Sequence, residues 1–229
     1  MTAIILDSIP FRFDPEEYRE LTHIDLSAPS AKTGTALIDS ALPVARPKAM
    51  YKVCYIEKRT ERGVELEGIR FTSEVLSKNL SEVERVFPYI VSCGVELDTV
   101  TVSQDDVFAA YMLDGLKELV LHQAREHFRN HLAETYGLDT ECMSAMNPGS
   151  GNKDVWPISQ QRQLFQLLGD VEASIGVRLT DSFLMTPNKT ISGILFPTEV
   201  PFISCQLCTR DNCPRRRAAY TGVVGMAGH

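Results

Sequence analysis

The clearest pattern in the chain is a helical period over residues 105–136, where Leu113, Leu116, Val120, Ala124, Phe128 and Leu132 recur at spacings of three and four. It predicts a long helix with one apolar face. Ser103 and Asp106 resemble a capping box at its start, and Gly137 supplies the stop. Upstream, Met50-Tyr51-Lys52-Val53-Cys54-Tyr55-Ile56 is a run of strand formers, and a second strand is expected over residues 64–71 behind a Gly63 turn. Residues 73–84 read as a short helix and 85–92 as a buried strand ended by Cys93-Gly94. Downstream, residues 159–168 predict a helix, with a short continuation at 171–175. Residues 178–185 and 190–196 alternate like two strands joined by the turn Thr186-Pro187-Asn188-Lys189. Helices and strands mix without a βαβ rhythm, which predicts an α+β fold, a mainly antiparallel sheet with the long helix packed on it. Residues 1–49 are punctuated by Pro10, Pro15, Pro29, Pro43 and Pro47 and are read as an N-terminal extension. Residues 50–204 form the expected main domain, and 205–229 a cysteine-rich tail.

Composition narrows the function classes. A net charge of −7 disfavours a non-specific nucleic-acid binder, because phosphate contacts need a basic surface. No stretch approaches the roughly 20 apolar residues of a membrane span. The short apolar run at residues 3–6 has no basic segment before it, so no secretion signal is expected. Six cysteines in 229 residues are too sparse for a disulfide scaffold. A reducing cytoplasm is the expected compartment.

Between the two helices lies Met146-Asn147-Pro148-Gly149-Ser150-Gly151-Asn152. Its glycines leave backbone N–H groups open to a ligand, although a plain turn has the same composition. The spacing is wrong for a dinucleotide fingerprint, and no strand is expected before it. Trp156-Pro157-Ile158-Ser159-Gln160-Gln161 follows, then Leu164-Phe165-Gln166-Leu167-Leu168-Gly169-Asp170. Next come Ile175-Gly176-Val177-Arg178-Leu179-Thr180-Asp181-Ser182, Met185-Thr186-Pro187 and the pair Ser192-Gly193.

This order of motifs, over residues 145–196, resembles the activation domain of cobalamin-dependent methionine synthase. The likeness is weaker over 50–140 and does not cover 1–49 or the tail after 200. The resemblance implies a shallow site for S-adenosylmethionine and docking on a corrinoid (cobalamin) protein. It also implies an electron from a flavodoxin- or ferredoxin-type donor, and methyl transfer to the reduced cobalt. It places ligand contacts at Asn147, Pro148, Gly149, Ser150 and Gly151. The family's ligand loop reads Arg-Pro-x-Pro-Gly-Tyr; here the arginine position is Ala145 and the tyrosine position Ser150. The family's glutamate on the long helix falls near Leu121 or His122, and Asp139 or Glu141 stands where a second glutamate is expected. The expected role is therefore an accessory protein that reactivates a corrinoid methyltransferase. The alternatives are an electron-transfer module that has lost S-adenosylmethionine and a zinc-stapled partner of a corrinoid protein.

Cys205-Gln206-Leu207-Cys208 and Cys213-Pro214 bring three thiols into a short segment with Arg210, Arg215, Arg216 and Arg217. That spacing suits zinc or an iron–sulfur cluster, so Cys205, Cys208 and Cys213 are the expected metal ligands. His127 and His131 stand four residues apart on the long helix and read as a solvated or packed pair.

Overall fold

The computed structural model describes residues 2–151, 155–199, 202–210, 212–213 and 216–222. In chain order its strands and α-helices are β1 (Ile4–Leu6), α1 (Pro15–Thr22), α2 (Lys32–Ala41), β2 (Lys48–Tyr51), β3 (Cys54–Tyr55), β4 (Lys58–Thr60), β5 (Gly63–Leu66), β6 (Ile69–Thr72), α3 (Glu74–Asn79), β7 (Arg85–Ser92), α4 (Val107–Tyr136), β8 (Met143–Met146), α5 (Gln161–Leu168), α6 (Val171–Ile175), β9 (Arg178–Leu179), β10 (Met185–Thr186) and β11 (Thr190–Pro197).

The main sheet runs β1-β2-β7-β11-β8, with β3 also pairing β7, and every pairing is antiparallel. The fold class is α+β, as the pattern predicts. β7 lies at the centre and alternates between two buried faces. Phe87, Tyr89 and Val91 meet Ala124, Phe128 and Leu132 on the second half of α4. On the opposite face Ile90 packs with Val171 and Ile175 of α6, and Val86 packs with Leu164 and Leu167 of α5. Each of these large apolar side chains contributes roughly 1.5–3 kcal/mol on burial.

The first half of α4 is covered by the N-terminal residues. Tyr18 on α1 and Ile38 on α2 pack with Met112, Leu116 and Val120, and the Tyr18 hydroxyl donates to the Met112 carbonyl at 2.8 Å. Asp106 caps α4 by accepting from the Ala109 N–H, and Gly137 closes it in the left-handed conformation.

Several expected elements divide. The run at residues 50–56 becomes β2 and β3, in one continuous register with β7. The break falls opposite Pro88, which accepts from the Lys52 N–H at 3.0 Å but has no N–H to give back. The strand expected at 64–71 is a hairpin of β5 and β6, turned by Glu67 and Gly68, both at positive φ. Residues 178–185 do not run as one strand. β9 and β10 are two residues each, joined by a loop in which the Thr180 hydroxyl meets the Ser182 hydroxyl at 3.0 Å and Phe183 has positive φ. Among the described residues no helix is long and apolar enough to cross a membrane.

Candidate functional site

The loop after β8 is built from the sheet outward. Asn147-Pro148-Gly149-Ser150 forms a turn in which the Ser150 N–H donates to the Asn147 carbonyl at 3.0 Å. Gly149 has φ 79, the left-handed value that the third position of a type II turn requires, and Pro148 precedes it as that turn prefers. A bond of 2.8 Å from the Gly149 N–H to the Trp156 carbonyl ties the turn to the next segment.

The Asn147 side chain anchors the turn to the sheet. Its amide donates to the Ser192 carbonyl at 2.7 Å and to the Tyr89 hydroxyl at 2.9 Å. Beside it, Gly193 leaves no room for a side chain: a Cβ there would lie 2.3 Å from the Met146 carbonyl oxygen and 2.6 Å from the Asn147 amide nitrogen. That close approach is the structural reason for the Ser192-Gly193 pair. The Ser192 hydroxyl donates to the Gln161 side chain at 2.5 Å, linking the strand to α5.

Tyr89 connects this loop to α4. Its ring packs against Phe128 with centroids 5.2 Å apart. Burial pushes its hydroxyl pKa up, so it stays protonated. His122, Arg125 and Arg129 share the flank of α4 at helical spacing. At one end of the flank Lys189, just before β11, bridges Asp114 at 2.8 Å and Glu118 at 3.3 Å. At the other end Arg129 donates to the Thr140 carbonyl at 2.7 Å and the Met143 carbonyl at 3.2 Å.

The structure thus gathers Asn147, Pro148, Gly149, Ser150 and Gly151 into one loop adjoining α4 through Tyr89. His122 lies on the same helix, half-exposed, and its Nε2 is 3.5 Å from Glu126. Asp139 is used locally: it accepts from the Glu141 N–H at 2.9 Å and from the Cys142 thiol at 3.7 Å. Ala145 pairs with Leu195 and joins the cluster beneath α4. Asn152 and Arg215 lie outside the described residues. Sequence patterning did not single out Tyr89, Arg125 or Arg129; a tyrosine in a buried strand and arginines on a helix flank carry no motif.

The tail places its cysteines differently from expectation. Among the described residues no group of three or more His, Cys, Asp or Glu side chains could hold a metal ion, so Cys205, Cys208 and Cys213 do not converge as a site would require. The segment instead wraps the Arg216 guanidinium, which donates to the carbonyls of Cys205, Cys208, Arg210 and Ala218. All three thiols are free and partly buried. Cys205 Sγ accepts from the Arg217 N–H at 3.4 Å, and that bond holds its thiol pKa below the usual value.

An antiparallel sheet, a long helix across one face and a turn anchored to the sheet define the class of this protein as an α+β domain. The same fold occurs in the solved structure of the MetH reactivation domain bound to AdoHcy. The match has a TM-score of 0.59 and 15% identity and covers 89% of this chain and 81% of that one. No curated protein matches the sequence. Residues 96–217 match the family described as vitamin B12 dependent methionine synthase, activation domain, and the chain belongs to that family. The matched interval reaches past residue 200 to take in the cysteines, further than the motifs suggest.

Proposed function

We propose that this protein serves the reductive reactivation of a cobalamin-dependent methyltransferase of the methionine synthase type, by holding S-adenosylmethionine against the partner's corrinoid. The carrying observation is the turn at Asn147, fixed to Ser192 and Tyr89 beside α4, within the interval that matches the family. The similar solved domain is bound to AdoHcy, S-adenosylhomocysteine, which is what S-adenosylmethionine becomes once its methyl has left. The ligand supplies an electrophilic methyl on a sulfonium sulfur, and the partner's cobalamin, reduced by a flavodoxin- or ferredoxin-type donor, supplies the electron pair.

The chain's own residues bind and orient. Asn147, Pro148, Gly149, Ser150 and Gly151 would form the seat, with His122 on the neighbouring helix flank and Asp139 as the acidic group upstream of the loop. No general base is needed for a displacement of this kind, so the chain's contribution is positioning. Residues 50–204 would carry the ligand, with 1–49 as an extension and 205–229 as a tail in a cytoplasmic protein. Calorimetry with S-adenosylhomocysteine tests the reading. Saturable binding that weakens at least about tenfold in Asn147→Ala is expected from loss of one anchoring residue. Absence of heat at millimolar ligand would sink it.

A further inference from the structure

A metal site needs three converging ligands, which Cys205, Cys208 and Cys213 do not supply. A disulfide needs only two. Cys205 lies in the short 3-10 helix Ser204–Leu207 and Cys208 caps it, and the Cys208 N–H donates to the Cys205 carbonyl at 3.2 Å. A turn closed in this way holds its end Cα atoms within about 7 Å. Disulfides span Cα separations of about 4.4–6.8 Å, so the backbone already stands at bridging distance. Cys213 belongs to a separate turn, in which its carbonyl accepts from the Arg216 N–H at 3.1 Å.

The turn is clamped from outside. The Arg216 guanidinium donates to the carbonyls of both cysteines, each at 3.2 Å. Between them, the Gln206 side chain accepts from the Ile203 N–H at 3.1 Å and its carbonyl accepts from the Thr221 N–H at 2.9 Å. Leu207 packs on the cluster that holds Val155, Trp156 and Phe202, and the Phe202 N–H donates to the Ser144 hydroxyl at 2.7 Å. Both thiols stay partly open to solvent. The Arg217 N–H donates to Cys205 Sγ at 3.4 Å, a contact that favours the thiolate, which is the attacking form. Cys142 has the opposite polarity: its thiol donates to the Asp139 carboxylate at 3.7 Å.

We propose that Cys205 and Cys208 are a redox-active pair that closes to a disulfide by exchange with a low-molecular-weight disulfide, Cys205 attacking first. Its thiolate breaks the external S–S bond and keeps one half as a mixed disulfide, and the other half leaves as a thiolate and takes up a proton. Cys208, its own proton released to solvent, then attacks Cys205 Sγ and expels the second half. Two protein thiols give up two electrons and two protons, and the external disulfide is reduced to two thiols. An excess of small thiol reverses both steps. The pair adjoins the loop after β8, because the Ser204 carbonyl lies 3.6 Å from where a Cβ on Gly151 would be. The inference is independent of the ligand reading given under Proposed function.

The test is equilibration of the full chain with mixtures of reduced and oxidised glutathione, followed by acid quench, alkylation and peptide mass spectrometry. Trypsin cuts after Lys189 and Arg210, so Cys205 and Cys208 share one peptide and Cys213 falls in the next. The expected product is the 190–210 peptide short of two hydrogens and unalkylated, restored by reduced glutathione. Cys213→Ser should leave that equilibrium unchanged, and Cys208→Ser should stop at a glutathione adduct on Cys205. Arg216→Gln loosens the turn and should lower the equilibrium constant for bridging at least about tenfold. Trp156 emission, unchanged across the variants, verifies that the body of the domain stays folded. A bridge to Cys213, or a wild-type glutathione adduct that never closes, overturns the assignment. So does an equilibrium in Arg216→Gln equal to that of the wild type, since any flexible segment with this spacing would then do the same.

Discussion

The side-chain amide of Asn147 donates to the hydroxyl of Tyr89, 58 residues earlier in the chain, at 2.9 Å. This contact joins the turn after β8 to the strand beneath α4, and the second amide bond, to Ser192, makes the anchor two-pronged. Tyr89→Phe keeps the ring packed on Phe128 and leaves one prong. It should cost about 0.5–1.5 kcal/mol in stability, read from urea midpoints, and should weaken binding of S-adenosylhomocysteine. A variant that binds as tightly as wild type would show that the hydroxyl does not serve the ligand.

Gly193→Ala tests the close approach of β11 to the turn. The added methyl would meet the Met146 carbonyl at 2.3 Å, so β11 and β8 must part or the Asn147 amide must leave. A loss of about 1–3 kcal/mol is expected, with a lowered melting temperature. Ligand affinity should fall with it. Unchanged melting would mean that the strands yield freely there.

Gln160 links the small hairpin to the main body. Its side-chain oxygen accepts from the Thr72 N–H at 2.7 Å and from the indole N–H of Trp156 at 3.2 Å, and its amide donates to the Thr72 carbonyl. Gln160→Leu strands three polar groups in an apolar cluster and should cost about 2–4 kcal/mol. Trp156 is the only tryptophan and is fully buried, so its fluorescence reports the change directly. An unaltered emission maximum and midpoint would refute the linkage.

Thiol reactivity should not follow exposure. Cys142 is exposed, but desolvation and then the neighbouring Asp139 raise its pKa, whereas backbone N–H donation lowers that of Cys205. Cys54 and Cys93 are buried and pushed up to about 12. Iodoacetamide at neutral pH, followed by peptide mass spectrometry, should label Cys205 before Cys142 and leave Cys54 and Cys93 untouched until unfolding. Faster labelling of Cys142 would contradict the environment described for Cys205.

His131 predicts an acid-side loss of stability. Its Nε2 lies 2.9 Å from the Tyr51 hydroxyl, and burial, then the nearby His127, lower its pKa below the unfolded value. Below about pH 6.5 the unfolded chain takes up the proton first, so stability falls as pH drops through that region. Denaturant midpoints at pH 7.5 and 5.5 should differ less in His131→Gln than in the wild type. An equal drop in both would assign the effect to other groups.

The sequence carries more of the fold than of the site. α4 is legible because Leu113 to Leu132 hold a helical period over many turns, and β7 because a run of apolar residues ends at Cys93-Gly94. The hairpin of β5 and β6 is hidden because Glu67-Gly68 is a weak turn signal inside a stretch that alternates apolar and charged residues on both sides of it. The division of β2 from β3 is hidden because it is caused by Pro88, a residue on another strand. The loop is legible through Pro148 and Gly149, whose backbone conformations select those residue types. Tyr89, Arg125 and Arg129 are not, since their proximity depends on the packing of α4 on the sheet. The expected meeting of Cys205, Cys208 and Cys213 considered only spacing, whereas the carbonyls around Arg216 set the path of the tail.

β11 pairs with β7 through residues 190–195 and with β8 through residues 194–197, so Ile194 and Leu195 are laddered on both sides. Ser192 and Gly193 lie just before that overlap, where β11 keeps its β7 ladder and the Asn147 side-chain amide takes up the Ser192 carbonyl. A side chain thus carries the sheet one bond further at the point where the β8 main chain turns away.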